Sequence, residues 1–165
     1  MIACLDVHYR GATAAAACVL FENWTDAEPA QVIVERMEPP AQYEPGKFYK
    51  RELPCLLKVL ERAKEPLAAV IVDGYVWLGG PEKPGLGAYL HKALGGAVPV
   101  IGVAKSRFRG AGSAETIFRG GSRRPLYVSA VGIDPLAAAE RIRSMHGPFR
   151  IPTLLNRADR LSRRA

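Results

Sequence analysis

Long hydrophobic runs are missing from this 165-residue chain. No stretch approaches the roughly 18 consecutive apolar residues of a membrane-spanning helix, so a transmembrane role is excluded and no membrane partner is expected. The opening MIACLDVHYRG has no basic segment followed by a long apolar core, which argues against a secretory signal. Cysteine is scarce. Cys4, Cys18 and Cys55 are odd in number and widely spaced, which excludes a disulfide framework and a cysteine-based zinc site. Each sits in an apolar run and reads as a buried free thiol. These absences predict a reduced, cytoplasmic protein. Acids are also in short supply, 16 against 23 Lys and Arg, which leaves a net charge of +7. That balance favours a polyanionic partner, and nucleic acid is the commonest one. Internal repeats and linker-like segments are absent, and the length suits one domain spanning residues 1–165.

What is present reads as an α/β protein. Residues 2–8 and 13–21 are expected strands, separated by a turn at Arg10-Gly11; QVIVERM is a third. The alanine run in TAAAACVLF has helical propensity, but its Cys-Val-Leu-Phe end favours a strand. Prolines break the chain at EPPAQYEPG. KFYKRELPCLLKVLERA then carries Leu53, Leu56, Leu57 and Leu60 at helical spacing, with Pro54 expected in the first turn or at a kink. LAAVIVD is a buried strand, PGLGAYLHKALGG a short helix closed by glycines, and VPVIGVAK a strand of the parallel type. The segment SRFRGAGSAETIFRGGSRR reads as an exposed loop or hairpin. PLYVSAVG is a strand, and a helix follows with Asp134 as N-cap and Pro135 at its first position. A basic helix closes the chain. The predicted order is three strands, then alternating helices and strands, then two helices: a mixed sheet, antiparallel meander first and parallel strands after, with helices packed on it.

Three acids break this apolar patterning. Asp6 interrupts the first strand, Asp73 ends LAAVIVD, and Glu52 opens the leucine-rich helix. A carboxylate in such surroundings costs several kcal/mol of desolvation, on the order of the buried-ion penalty, unless something positive offsets it. In open α/β sheets the C-terminal strand edge, where Asp73 is expected, is where ligands bind. Each acid alone has an ordinary reading: a partner for an arginine, a turn cap, a solvated first-turn acid. Together they form a candidate cage for a hard divalent cation such as Mg²⁺, which takes oxygen ligands. Lys105, ending VPVIGVAK, reaches the same edge and suits a phosphate oxygen; its plain reading is a lysine in water.

At this point the sequence resembles the endonuclease V family. LDVHY is similar to the family's first metal-aspartate strand, YEPGKFYKRELP to its Tyr-x-Pro-Gly…Arg-Glu segment, and VDGY to its second aspartate. PGLGAYLH, PVIGVAKS, PLYVSAVG, RIPTLL and ADRLSR match later blocks in order, and the acids' spacings of 46 and 21 residues agree with the pattern. The resemblance implies an RNase H-like fold and Mg²⁺-dependent cleavage of nucleic acid, one nucleotide 3′ of inosine, leaving a 3′-hydroxyl and a 5′-phosphate. Mn²⁺ is expected to substitute, accepting the same oxygen ligands. It assigns Asp6, Glu52 and Asp73 to the metal, Lys105 to the phosphate, and Tyr43 to a wedge that separates strands at the lesion. Pro45, Gly74, Arg107 and Arg109 join Tyr43 and Lys105 as expected nucleic-acid contacts. His8, on the same strand face as Asp6, and His91, matching a histidine in a family helix, are further candidates near the metal. A monomer is the default expectation.

The chain also departs from the family. Gln42 stands where a proline often precedes the wedge tyrosine. The run DGYVWLGGPEKPG, where the family forms its base pocket, has Val76 in place of a second glycine and gains the bulk of Tyr75 and Trp77. YVSAVGID lacks a Gly-His step, with Val131 or Gly132 at the place where a catalytic histidine is expected. Arg107, Arg109, Arg119, Arg123 and Arg124 lie in or near one glycine-rich loop and suit phosphate tracking. Three rival readings stay open: a nuclease of changed specificity, a non-catalytic nucleic-acid binder, and a Mg²⁺-dependent phosphatase or nucleotide hydrolase.

Overall fold

The computed structural model describes residues 1–38, 44–45, 47–80, 82–110 and 114–165. Its elements are β1 (Ile2–Arg10), β2 (Thr13–Phe21), β3 (Gln31–Met37), α1 (Phe48–Leu60), β4 (Ala69–Asp73), α2 (Leu86–Ala93), β5 (Val100–Ala104), β6 (Glu115–Ile117), β7 (Leu126–Val131), α3 (Pro135–Ser144) and α4 (Thr153–Arg164). The strands form one sheet in the order β3-β2-β1-β4-β5-β7-β6. β1, β2 and β3 are an antiparallel meander, and β4 and β5 add parallel to β1. β7 pairs antiparallel to β5, so β5 is parallel on one side only.

Helices cover both faces. One core joins Ile2, Cys4, Val19, Phe21, Ile71 and Ile101 to α3 and α4; the other joins Ala3, Leu5, Leu20, Val70 and Val72 to α1 and α2. This division follows the period of two along a strand. Even-numbered residues of β1 look toward α4, odd-numbered ones toward α1. The alanines of β2 are buried on both sides, and their small side chains suit a central strand covered on both faces. Gly102 is required by a close approach. A Cβ there would lie 2.5 Å from the Gly74 carbonyl oxygen and 2.9 Å from the Val76 nitrogen, so only glycine lets the chain leaving β4 lie across β5.

Three expectations need correction. Of the loop or hairpin expected between β5 and β7 it is the hairpin that forms, and its three-residue strand β6, missing from the predicted order, pairs antiparallel with β7. Pro54 lies inside α1, past its first turn. It has no N–H for the carbonyl of Lys50, and apolar packing of Cys55, Leu56, Val59 and Leu60 carries the helix through. Glu52 therefore stands on the helix body rather than at its opening. The cysteines are all buried and free. No described helix is long and apolar enough to cross a membrane.

Candidate active site

The β1–β4 ladder stops at Leu5↔Val72. The next residues are Asp6 and Asp73. β1 runs on to Arg10 while β4 ends, so the strands part where the two carboxylates sit. Glu52 enters this gap from α1, on the other face of the sheet. Asp6, Glu52 and Asp73 together line a cleft of about 110 Å³, walled by Leu5, Val7, Leu56, Val72 and Leu86.

The electrostatics follow from crowding. Burial raises the Glu52 carboxyl to about 7, with the charges of Asp6 and Asp73 adding and Arg51 opposing. Arg51 is fixed by stacking on the Tyr9 ring, 4.0 Å from its centroid. Burial likewise raises Asp6 to about 6; a hydrogen bond donated by Ser162 opposes this, and Asp73 and Asp159 reinforce it. Lys105 sits just beyond β5, with Nζ 2.7 Å from Asp73 Oδ2. Both side chains are two-fifths exposed, so the pair is free to exchange partners with little cost.

As a donor set these residues fit a hard divalent cation: oxygens only, mutually repelling, beside a lysine. Among the described residues, no three acid, histidine or cysteine side chains converge to hold a cation as they stand. Two of the oxygens are engaged, that of Asp73 by Lys105 and that of Asp6 by Ser162.

A fourth acid was not anticipated. Asp159 of α4 lines a second cleft of about 190 Å³ together with Asp6, Asp73 and Lys105. It also accepts from Arg163 at 3.0 Å. Asp6 and Asp73 thus form a partition, with Glu52 on one side and Asp159 on the other. Its block, ADRLSR, belongs to the family resemblance, but no role was read for the one acid among the arginines of NRADRLSRR.

Other candidates fare differently. Gly74, Lys105 and Arg107 line an open cleft of about 410 Å³ beside Asp73, with Tyr75, Ser106 and Phe108. The bulk of Tyr75 and Val76 turns inward. Both are buried; the Tyr75 hydroxyl donates to the Ser106 carbonyl and accepts from the Phe108 N–H, and the Val76 N–H donates to Ser129. Trp77 donates to the Ala130 carbonyl. Arg109 and Pro45 are exposed, and Tyr43 lies outside the described residues. His8 is on the Asp6 face but lines a separate small cleft with Ser162, Arg163 and Arg36.

Three readings do not fit this geometry. His91 bonds the Val98 carbonyl at 2.8 Å. Val98 precedes β5, whereas Asp73 pairs with Val103 near that strand's other end, so His91 belongs to the far edge of the sheet. Val131 pairs with Val100 at the same far edge, so a histidine at Val131 or Gly132 would not face the acids. Arg119 is 7% exposed and donates to the carbonyls of Arg143, Met145, Gly147, Phe149 and Arg150. It is a clamp on the turn after α3, not a phosphate tracker.

An open mixed sheet with acids at the parting of two parallel strands defines an RNase H-like α/β protein. A sequence profile described as Endonuclease V matches residues 1–133. Endonuclease V of Streptomyces avermitilis is 32% identical over 188 residues, covering 98% of this chain and 78% of that one. The crystal structure of an Endonuclease V from that organism matches at a TM-score of 0.77 and 26% identity, over 99% of this chain and 79% of that one. The human protein's structure matches at 0.77 and 25%, over 99% and 82%. The Ciona intestinalis enzyme, in complex with DNA containing an inosine followed by a ribo-adenosine, shares the fold at 0.79 and 18% identity, over 99% and 83%. The chain belongs to the endonuclease V family, a family of nucleases.

Proposed function

We propose that this protein is a Mg²⁺-dependent endonuclease of nucleic-acid repair that hydrolyses a phosphodiester on the 3′ side of inosine, the product of adenine deamination. The observation that carries the reading is that Asp6, Glu52 and Asp73 line one cleft at the parting of β1 and β4. The Ciona relative's complex with inosine-containing DNA supports the substrate.

Asp6, Glu52 and Asp73 would hold Mg²⁺ or Mn²⁺, with Asp159 next to Asp6 as a further oxygen donor. When bound, the ion supplies a Lewis acid for the phosphoryl oxygen and lowers the pKa of its water. Lys105 exchanges Asp73 for a phosphate oxygen and so offsets negative charge on the phosphoryl oxygens. The open cleft beside Gly74, Tyr75 and Phe108 receives the inosine base turned out of its stack, and Tyr43 and Pro45 act as the wedge. Extruding a base costs a few kcal/mol, least for a mispaired one, on the order of one stacking step. Arg107 and Arg109 neutralise the flanking phosphates.

The test is incubation with inosine-bearing and unmodified DNA and RNA, in Mg²⁺ and in EDTA, with the cut mapped. A Mg²⁺-dependent cut 3′ to inosine, absent from unmodified strands, is expected. Equal cutting of both strands would favour a nuclease of changed specificity, and binding without a cut would favour a non-catalytic binder.

A further inference from the structure

Four of the chain's five phenylalanines are exposed, Phe21 alone being buried. Three of the four, Phe108, Phe118 and Phe149, are each followed directly by an arginine. Phe108 belongs to the open cleft already described. Phe118 and Phe149 do not, at 57% and 73% exposure.

The two are carried on adjoining segments. A Cβ on Gly120 would lie 2.5 Å from the Phe149 carbonyl carbon, so the chain two residues after Phe118 touches the backbone of Phe149. The support is rigid. Arg119, between Phe118 and Gly120, reaches inward to the carbonyls around Phe149, and Arg150 donates to the carbonyls of Pro125 and Lys105. One side chain after Phe118 and one after Phe149 therefore lock the turn, and the second ties it to the strand end that carries Lys105. A buried cation is a costly anchor for two rings left in water. The neighbouring Arg123 and Arg124 are exposed, and neither makes an ion pair with any described residue.

We infer that Phe118 and Phe149 form a stacking platform for unpaired bases of a single-stranded segment flanking the cut, with Arg123 and Arg124 on its phosphates. Aromatic faces accept any base, and free guanidinium groups beside them complement the backbone charge. The inference rests on nucleic acid being the substrate and adds where a strand runs beyond the reactive phosphate.

The experiment measures anisotropy of labelled single-stranded and duplex oligonucleotides with the full chain in EDTA, where no cut competes. Phe118 and Phe149 are replaced by Ala, Leu and Trp, singly and together. Each Ala change is expected to weaken single-strand binding about fivefold or more, the lower end of the loss for one stacked base. Trp should restore binding and Leu should not, because the ring and not apolar area is needed. Duplex binding should change less than twofold. Circular dichroism and melting should stay as in the parent, both side chains being exposed. Double variants that bind single strands like the parent, or Leu variants as good as Trp, would overturn the platform. So would a change in sedimentation in place of binding, which would make the rings a protein-docking patch. Cleavage of inosine-bearing strands by the parent in Mg²⁺ is run alongside. If the parent cuts but the variants bind normally, the platform alone fails; if the parent neither cuts nor binds, the functional reading falls with it.

Discussion

Replacing Arg119 separates a structural clamp from a phosphate-tracking loop arginine. Its guanidinium is buried and donates to five carbonyls, one in the last turn of α3 and four on the turn that follows it. Hydrogen bonds to a charged group contribute roughly 1.5–3 kcal/mol each, and they do not add. Removing the donor leaves neutral carbonyls unsatisfied, at about 1–3 kcal/mol for each that water does not reach, so a loss of about 3 kcal/mol is expected. Arg119→Met keeps an apolar stem but is shorter and lacks the guanidinium, so its cost combines the lost hydrogen bonds with the space left behind. For a chain of this size, about 3 kcal/mol lowers the melting temperature by roughly 6–12 °C. Arg119→Lys keeps the charge but reaches fewer carbonyls, and should fall between parent and Met variant. Arg123→Met, on the exposed part of the same segment, should stay within about 0.5 kcal/mol of the parent. The assay is urea denaturation of the three variants, followed by fluorescence of Trp24 and Trp77. If Arg119→Met matches Arg123→Met, the clamp is wrong and Arg119 returns to the set of candidate phosphate contacts.

Asp6→Asn and Asp73→Asn should each lower single-turnover cleavage at least about 10²-fold while leaving substrate binding measurable; retained cleavage in both would remove the metal assignment. Asp159→Asn should slow cleavage about tenfold or more, the loss expected when a group supporting a metal ligand goes, whereas an unchanged rate would leave Asp159 as a mere partner of Arg163. Lys105→Ala should lower cleavage without loss of fold, since its ion pair with Asp73 is exposed; a large drop in melting temperature would show it to be structural. In EDTA the pH dependence of stability has a definite sign. Glu52 at about 7 and Asp6 at about 6 lie above the ordinary carboxylate values, so the folded chain holds more protons than the unfolded chain between about pH 4 and 7. Melting temperature should therefore fall as pH rises through that window, and Glu52→Gln should flatten the slope; a rise with pH would contradict the crowding of these acids.

Much of the site was legible because its acids stand against apolar strands. Asp6 and Asp73 interrupt runs that otherwise bury on both faces, and the end of β4 at Asp73 follows from the glycine after it. The strand β6 was not legible, since three residues among glycines and arginines hold no period of their own and are fixed by pairing with β7. Arg119 was misread because its acceptors lie 24 to 31 residues away, where loop composition gives no hint of them. Asp159 was hidden among the charges of its own helix, although the apolar stripe of Leu154, Leu155, Ala158 and Leu161 marks the face that packs on β1 and β2. His91 was carried by a motif match alone. The strand register puts it at the wrong end of the sheet.

Calorimetric titration of Mn²⁺ and Mg²⁺ into the parent chain and into Asp6→Asn, Glu52→Gln and Asp73→Asn tests the carboxylate site most directly. Saturable binding in the parent that each substitution weakens at least tenfold, with proton release below pH 7 as the raised carboxyls ionise, is the expected result. Binding of equal strength in all four proteins would mean that no ion sits between these acids.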